Sequence, residues 1–234
     1  MAIKGRRRGF IGNVFRCVFY GALILVVILV GLVLVEAVVP PVSTLMLART
    51  LQGESYERDY VPLSAIAPVA VASVIASEDA RFCRHHGVDW DALHEVMADA
   101  DEDGPSRGAS TITMQTAKNL FLWPWHSAIR KGLEIGIALG LDQVWPKRRI
   151  IEVYLNIAEW GDGIFGIEAA ARHYFGKSAS RLDAREGALL ATALPNPIRR
   201  NAAHPSAIQR RLAANLMVRA RDSEPWLDCL PGTR

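Results

Sequence analysis

The sequence predicts a mainly α-helical domain carried on one N-terminal transmembrane helix. Three observations say so. Nineteen consecutive uncharged, mostly aliphatic residues run from Cys17 to Val35; beyond residue 60 the apolar spacing is helical, with prolines at the boundaries; and no alternating apolar–polar run of useful strand length occurs.

As a helix the apolar run extends about 28 Å at about 1.5 Å per residue, close to the hydrocarbon thickness of a bilayer. It has no polar face, whereas a helix at the surface of a soluble core keeps a solvent stripe. A cleaved signal peptide is the competing reading. The run is longer than the usual signal core, and no small-x-small site precedes Pro40-Pro41. Lys4, Arg6, Arg7, Arg8 and Arg16 lie before the run, while residues 36–60 hold Glu36, Glu54, Glu57 and Asp59 against Arg49 and Arg58. The excess of positive charge therefore assigns residues 1–16 to a cytoplasmic tail and 17–39 to a transmembrane anchor, with the remainder outside the cytoplasm. Residues 17–234 carry 22 basic and 24 acidic side chains, so the sequence pI near 8.9 belongs to the tail. A nucleic-acid partner is not expected, because that needs a basic face on the folded domain.

Pro40-Pro41 ends the span, and 40–60 reads as a membrane-proximal connector without clear periodicity. The folded domain is expected over 61–222, with 223–234 as a tail. Pro68 suits the first turn of a helix through Val69–Ala76. Ser127–Val144 and Pro146–Trp160 read as two helices parted by a proline. Asp183 and Glu186 have the spacing of a capping box before Ala184–Leu194, which Pro195 stops, and a last helix runs from Ser206 to Arg221. Among the three cysteines no spacing suggests structural zinc, and a Cys83–Cys229 bridge is permitted without being predictable.

Three segments could carry chemistry. Glu78, Asp79, Phe82, His85, His86, Gly87 and Asp89 crowd into a helix end and the loop after it. Two acids beside an aromatic can raise one carboxyl pKa and make a base that works near neutrality. Solvated helix-end acids are the plainer reading, and a metal cluster a weaker one, since the ligands lack helical HxxxH spacing. Next, Gly108-Ala109-Ser110-Thr111-Ile112-Thr113-Met114-Gln115, with Lys118-Asn119 following, can hold sugar hydroxyls and phosphate oxygens, or can simply cap a helix. The Asp99–Arg107 stretch before it reads as mobile. Third, Arg130-Lys131-Gly132-Leu133-Glu134 sets Lys131 and Glu134 on one helix face, where a surface ion pair is the ordinary alternative. Gly132, Gly136 and Gly140 recur on that helix at about 1 kcal/mol each relative to Ala, for which close helix packing is the expected compensation. Glu134 and Asp142 argue against membrane insertion of the segment.

In order and spacing, these segments resemble the motifs of the biosynthetic peptidoglycan glycosyltransferases, monofunctional transglycosylases and the glycosyltransferase module of class A penicillin-binding proteins. Glu78-Asp79-x-x-Phe82-x-x-His85-x-Gly87 resembles the first motif, Gly108-x-Ser110-Thr111-Ile112-Thr113-x-Gln115 the second, and Arg130-Lys131-x-x-Glu134 the third. Lys147-x-Arg149-Ile150-Ile151-Glu152-x-Tyr154-Leu155-Asn156 resembles the fourth, and Arg210-Arg211 with Met217 the fifth. The likeness covers about residues 60–220. Met114 stands where many relatives have a second Gln, and Ala213-Ala214-Asn215 is a loose form of the last motif.

The resemblance implies a lysozyme-like, two-lobed domain with a membrane-adjacent jaw, acting on a lipid-linked disaccharide-pentapeptide. It implies inverting transfer from an undecaprenyl-pyrophosphate-linked glycan to the GlcNAc C4 hydroxyl. Glu78 and Glu134 are the implied catalytic carboxylates. Substrate binding falls to Asp79, Phe82, His85, Ser110, Thr111, Gln115, Lys118, Arg130, Lys131, Arg149 and Asn156, with Lys118, Arg130, Lys131 and Arg149 facing phosphate oxygens. No cofactor or bound metal is expected to be required, although a divalent cation could assist at the pyrophosphate. Expected partners are the lipid-linked precursor, the membrane and other cell-wall synthesis proteins. No Ser-x-x-Lys or Lys-Thr-Gly occurs in the 234 residues, so cross-linking is not expected.

Overall fold

A computed structural model of the chain describes residues 3–98, 108–125, 127–223 and 227–230. The stretch 99–107, expected to be mobile, lies outside the described residues, as does most of the tail. Contacts divide the chain into Met1–Val39 and Pro40–Arg234. The first unit is one helix, α1 (Ile3–Glu36), whose 24-residue portion Asn13–Glu36 contains an 18-residue stretch of mean hydropathy 3.1, long and apolar enough to cross a membrane.

The second unit is mainly helical from its first residues. Ser43 caps α2 (Thr44–Gln52) by accepting the Met46 N–H at 3.2 Å, and Gly53 closes it at φ 75°, a conformation glycine adopts without strain. The helix is tied inward by the Thr44 hydroxyl, which donates to the Leu122 carbonyl at 2.8 Å. The connector stretch thus contains a helix, and also a strand, β1 (Glu57–Arg58). α3 (Pro68–Glu78) starts on Pro68 as read from the sequence, and every residue from Ala70 to Ala76 is buried. α4 (Trp90–Ala98) and α5 (Ile112–Phe121) follow. α6 (Ala128–Val144) is capped by Ser127, and Pro146 separates it from α7 (Lys147–Ile157).

β2 (Glu159–Gly161) and β3 (Ile164–Phe165) form a hairpin after α7. β1 joins β3 in parallel, giving a sheet of order β1-β3-β2. Strands of two or three residues are too short to show alternation, which is why the sequence concealed them. α8 (Ile167–Phe175), α9 (Ala184–Ala193) and α10 (Ala207–Ser223) complete the unit, with the Asp183/Glu186 capping box present at α9.

Two packed groups position the site. α3, α9 and α10 pack together, and α5 packs on both α6 and α7. The contact of α3 with α9 is close: a Cβ added at Gly187 would stand 2.8 Å from Ala70 Cα. Close packing does not account for the glycine series of α6. A Cβ at Gly132, Gly136 or Gly140 would meet nothing within 4 Å, because these residues lie away from the buried side formed by Arg130, Glu134, Ala138 and Leu141. Nothing in the structure explains the three glycines.

Candidate active site

Glu78 is the last residue of α3, where the helix gives way to the loop 79–89. Its Oε1 accepts the Ser77 hydroxyl at 3.1 Å and its Oε2 accepts Gln115 Nε2 from α5 at 3.2 Å. Burial raises the Glu78 pKa above the ordinary carboxylate value. The hydrogen bonds from Gln115 and Ser77 oppose that rise, Asp79 adds to it, and Lys118 opposes it.

Asp79 turns the other way. Its carboxylate accepts His85 Nε2–H at 2.9 and 3.0 Å and, through Oδ2, the Ile112 backbone N–H at 2.9 Å, so it also satisfies the first turn of α5. Thr111, the cap of that helix, accepts the Met114 N–H at 3.1 Å and donates its hydroxyl to the Gly87 carbonyl at 2.6 Å. Gly87 sits at φ 80°, and a Cβ there would lie 2.7 Å from the Ala138 carbonyl oxygen. The first and second motifs are therefore locked together, and against α6, by groups expected to bind substrate.

On α6, Glu134 is 2% exposed and holds two cations: Arg130 Nη1 at 2.6 Å and Lys131 Nζ at 2.7 Å. The pair is thus not a surface one. Lys131 Nζ also donates to Ser110 Oγ at 2.8 Å, tying the third motif to the second. Lys118, half-buried on α5, differs from both. Among the described residues its ammonium has no hydrogen-bonding or ion-pairing partner. Burial lowers its pKa from the ordinary lysine value, Glu134 raises it most, Arg130 and Lys131 lower it, and Glu78 raises it. Lys118 thus feels both candidate catalytic carboxylates.

Two open cavities adjoin these groups. One of about 260 Å³ is lined by Ser77, Glu78, Asp79, Ser110, Thr111 and Arg219. A larger one of about 620 Å³ is lined by Gln115, Lys118, Arg130, Lys131 and Glu134, and both share Gly108–Ser110. A third, of about 200 Å³, reaches Gln115 and Lys118 beside Tyr154. Among the described residues no group of three or more His, Cys, Asp or Glu side chains is placed to hold a metal.

Three expected contact residues lie elsewhere. Phe82 is fully buried, with Lys147 Nζ 4.7 Å from its ring centroid, and offers no surface to a ligand. Asn156 is also fully buried. It donates to the Val61 and Glu152 carbonyls at 2.9 and 2.8 Å and accepts the Val61 N–H at 2.9 Å. Arg149 lines none of the three cavities and donates to Tyr60 and Glu152 at 2.8 and 2.7 Å. These residues build the scaffold: Glu152 accepts the Leu63 N–H at 2.9 Å, so α7 clamps the chain entering α3. Tyr154, present in the fourth motif, receives no role from the sequence. Its buried hydroxyl donates to Gln115 Oε1 at 3.0 Å and reaches Glu78 through that amide.

Residues 45–219 match the family described as Transglycosylase. A protein of Nitrobacter hamburgensis named biosynthetic peptidoglycan transglycosylase is 57% identical over 185 residues, covering 79% of this chain and 82% of the relative. Proteins of the same name from Rhizobium meliloti and Brucella suis are 52% and 55% identical over 208 and 192 residues, covering 89% and 82% of this chain and 88% and 86% of the relatives. The matched stretch contains all the motifs whose geometry is given above, and on that extent and identity the chain belongs to the transglycosylase family.

Proposed function

We propose that this transglycosylase polymerises lipid-linked disaccharide-pentapeptide into glycan strands, by inverting transfer of the chain from undecaprenyl pyrophosphate to the C4 hydroxyl of the acceptor GlcNAc. One observation carries the reading: the ammonium of Lys118, without a hydrogen-bonding or ion-pairing partner among the described residues, stands where it feels both Glu78 and Glu134, at the margin of cavities already supplied with Lys131 and Ser110. A half-buried cation with no bonded anion among the described residues suits a pyrophosphate leaving group.

In this mechanism Glu78 accepts the proton of the attacking hydroxyl, its raised pKa matching it to that task. The hydroxyl oxygen attacks the anomeric carbon and displaces its phosphate oxygen in one step, so that undecaprenyl pyrophosphate departs and an α-linked donor becomes a β-1,4 bond without a covalent intermediate. Lys118 and Lys131 face the negative charge that grows on the departing oxygen. Glu134 orients Lys131, while Arg130 balances its second oxygen. Phe82, Arg149 and Asn156 act through position rather than contact, being engaged inside the protein, and Asp79, Thr111 and His85 join the first motif to the start of α5 at the edge of the cavity of about 260 Å³. A divalent cation at the pyrophosphate would add to the charge of the lysines, and no step above depends on it.

The anchor carries the N-terminus in the cytoplasm and the domain in the periplasm, as its flanking charges direct. The activity proposed for residues 1–234 is glycan extension alone, since neither Ser-x-x-Lys nor Lys-Thr-Gly occurs among them. Incubating the purified chain with lipid-linked disaccharide-pentapeptide tests the reaction. Polymer is expected; release of fragments from preformed polymer, with none made from the lipid-linked substrate, would show a cleaving enzyme instead. A periplasm-dependent reporter fused after Arg234 should be active, and one fused before Met1 silent.

A further inference from the structure

The loop 79–89 carries the first motif, and its ends are fixed by the site itself: Asp79 holds His85 and the Ile112 N–H, and the Gly87 carbonyl holds Thr111. Its middle is held from outside the matched domain. Cys83 forms a disulfide with Cys229 across 146 residues of sequence, with the two Cα atoms 5.5 Å apart. Arg84 Nη2 stands 3.9 Å from Asp228, and Leu230, in the same short turn, is 1% exposed. The family match ends at residue 219, so residues 227–230 lie beyond the matched stretch and reach back to the loop beside Glu78.

We propose that residues 227–230 are a strap that positions the first-motif loop through the Cys83–Cys229 bridge, so that full polymerising activity requires the oxidised chain. The inference rests on the transglycosylase reading above and on a periplasmic domain. Closing the bridge releases two protons and two electrons from the thiols, which a protein disulfide outside the membrane accepts by thiol–disulfide exchange, becoming a dithiol. Once the bridge is opened, the covalent tie between strap and loop is gone, and the Arg84–Asp228 pair beside it, half-exposed on both sides, is weak on that account. The loop can then drift about Asp79, whose carboxylate sets the first turn of α5 and adjoins the catalytic base. Misplacement of that turn lowers turnover more than substrate affinity.

The test uses the full-length chain in detergent with Cys17→Ser, which removes the one free thiol. Denatured without reductant, this protein should show no thiol, and after reduction two; two before reduction would overturn the bridge. Assayed below its Tm on lipid-linked disaccharide-pentapeptide, reduction should lower kcat about tenfold with KM within about twofold. Adding Cys83→Ala and Cys229→Ala should give the same loss and abolish the response to reductant. Amide hydrogen exchange should quicken over residues 80–88 in the reduced, folded protein. A lower Tm with kcat and loop exchange unchanged would make the bridge merely structural and overturn the strap. If the alanine variant fails to fold, protein reduced after folding supplies the same comparison. Absence of polymerisation in the oxidised protein would count against the proposed function instead, and the exchange measurement still decides the strap.

Discussion

Gln115 Nε2 stands 3.2 Å from Glu78 Oε2, and the Tyr154 hydroxyl, 3.0 Å from Gln115 Oε1, determines which end of the amide meets the carboxylate. An amide turned the other way would set its carbonyl oxygen against Glu78 and penalise the ionised form that must accept a proton. Tyr154→Phe removes the hydroxyl that fixes this choice. The acidic limb of the kcat/KM profile should then move to higher pH by about half a unit to one unit, corresponding to the loss of part of one hydrogen bond. Ser77, Asp79, Gln115 and Lys118 are the other groups acting on Glu78, and none is altered. A profile coincident with the parent's would mean that Gln115 keeps its orientation unaided.

Glu78→Gln separates activity from stability. It cannot take up a proton, so polymerisation should fall by at least about 10² with lipid binding changed only a few-fold. Stability should move in the opposite sense. A carboxyl whose folded-state pKa lies above its unfolded value opposes folding when ionised in both states, and that opposition fades as the pH falls through the folded pKa. The variant's Tm should therefore exceed the parent's at pH 7–8, and the gap should narrow toward pH 4. A Tm below the parent's at neutral pH would mean that Glu78 holds the fold together.

The sequence was most legible where its periodicity is helical and its punctuation explicit. Pro68, Pro146 and the Asp183–Glu186 box each mark a helix start that the structure contains. The sheet was illegible because Glu57–Arg58 pairs with Ile164–Phe165, far away in sequence and only two residues long. In the site, sequence named the residues but not their direction. Asp79 and Glu78 are adjacent acids, yet one faces Gln115 and the other the start of α5. Asn156 and Phe82 had the types expected of ligand contacts and are fully buried, a distinction that depends on packing rather than on spacing.

Gly187→Ala tests the close approach of α9 to α3. In an open helix this change is stabilising by about 1 kcal/mol. Here the new methyl would stand 2.8 Å from Ala70 Cα, a backbone atom that cannot turn aside. The helices would have to separate where all of Ala70–Ala76 is buried, just before Glu78. The Tm should therefore fall, by an amount equivalent to about 1–3 kcal/mol, as in other overpacked cores. Gly136→Ala, where nothing lies within 4 Å, should raise it instead and serves as the control.

Lys131 and Glu134 separate leaving-group stabilisation from scaffolding. Lys131 Nζ binds the buried Glu134 and Ser110, but its own side chain is 36% exposed and Arg130 still holds the carboxylate after Lys131→Met, so that change should lower Tm only modestly. If its charge meets the departing pyrophosphate, kcat should fall more than KM rises, because that charge counts most in the transition state. Glu134→Gln is expected to behave otherwise. It replaces the carboxylate that Arg130, 2% exposed, holds at 2.6 Å by a neutral amide, so it should lower both kcat and stability, the latter more than Lys131→Met does. In the double variant the kinetic losses should add to less than their sum, since Glu134 acts on the reaction by holding Lys131. Lys131→Met with unaltered kcat would leave Lys118 alone to stabilise the leaving group, and would make the Arg130–Glu134–Lys131 cluster a brace for α6.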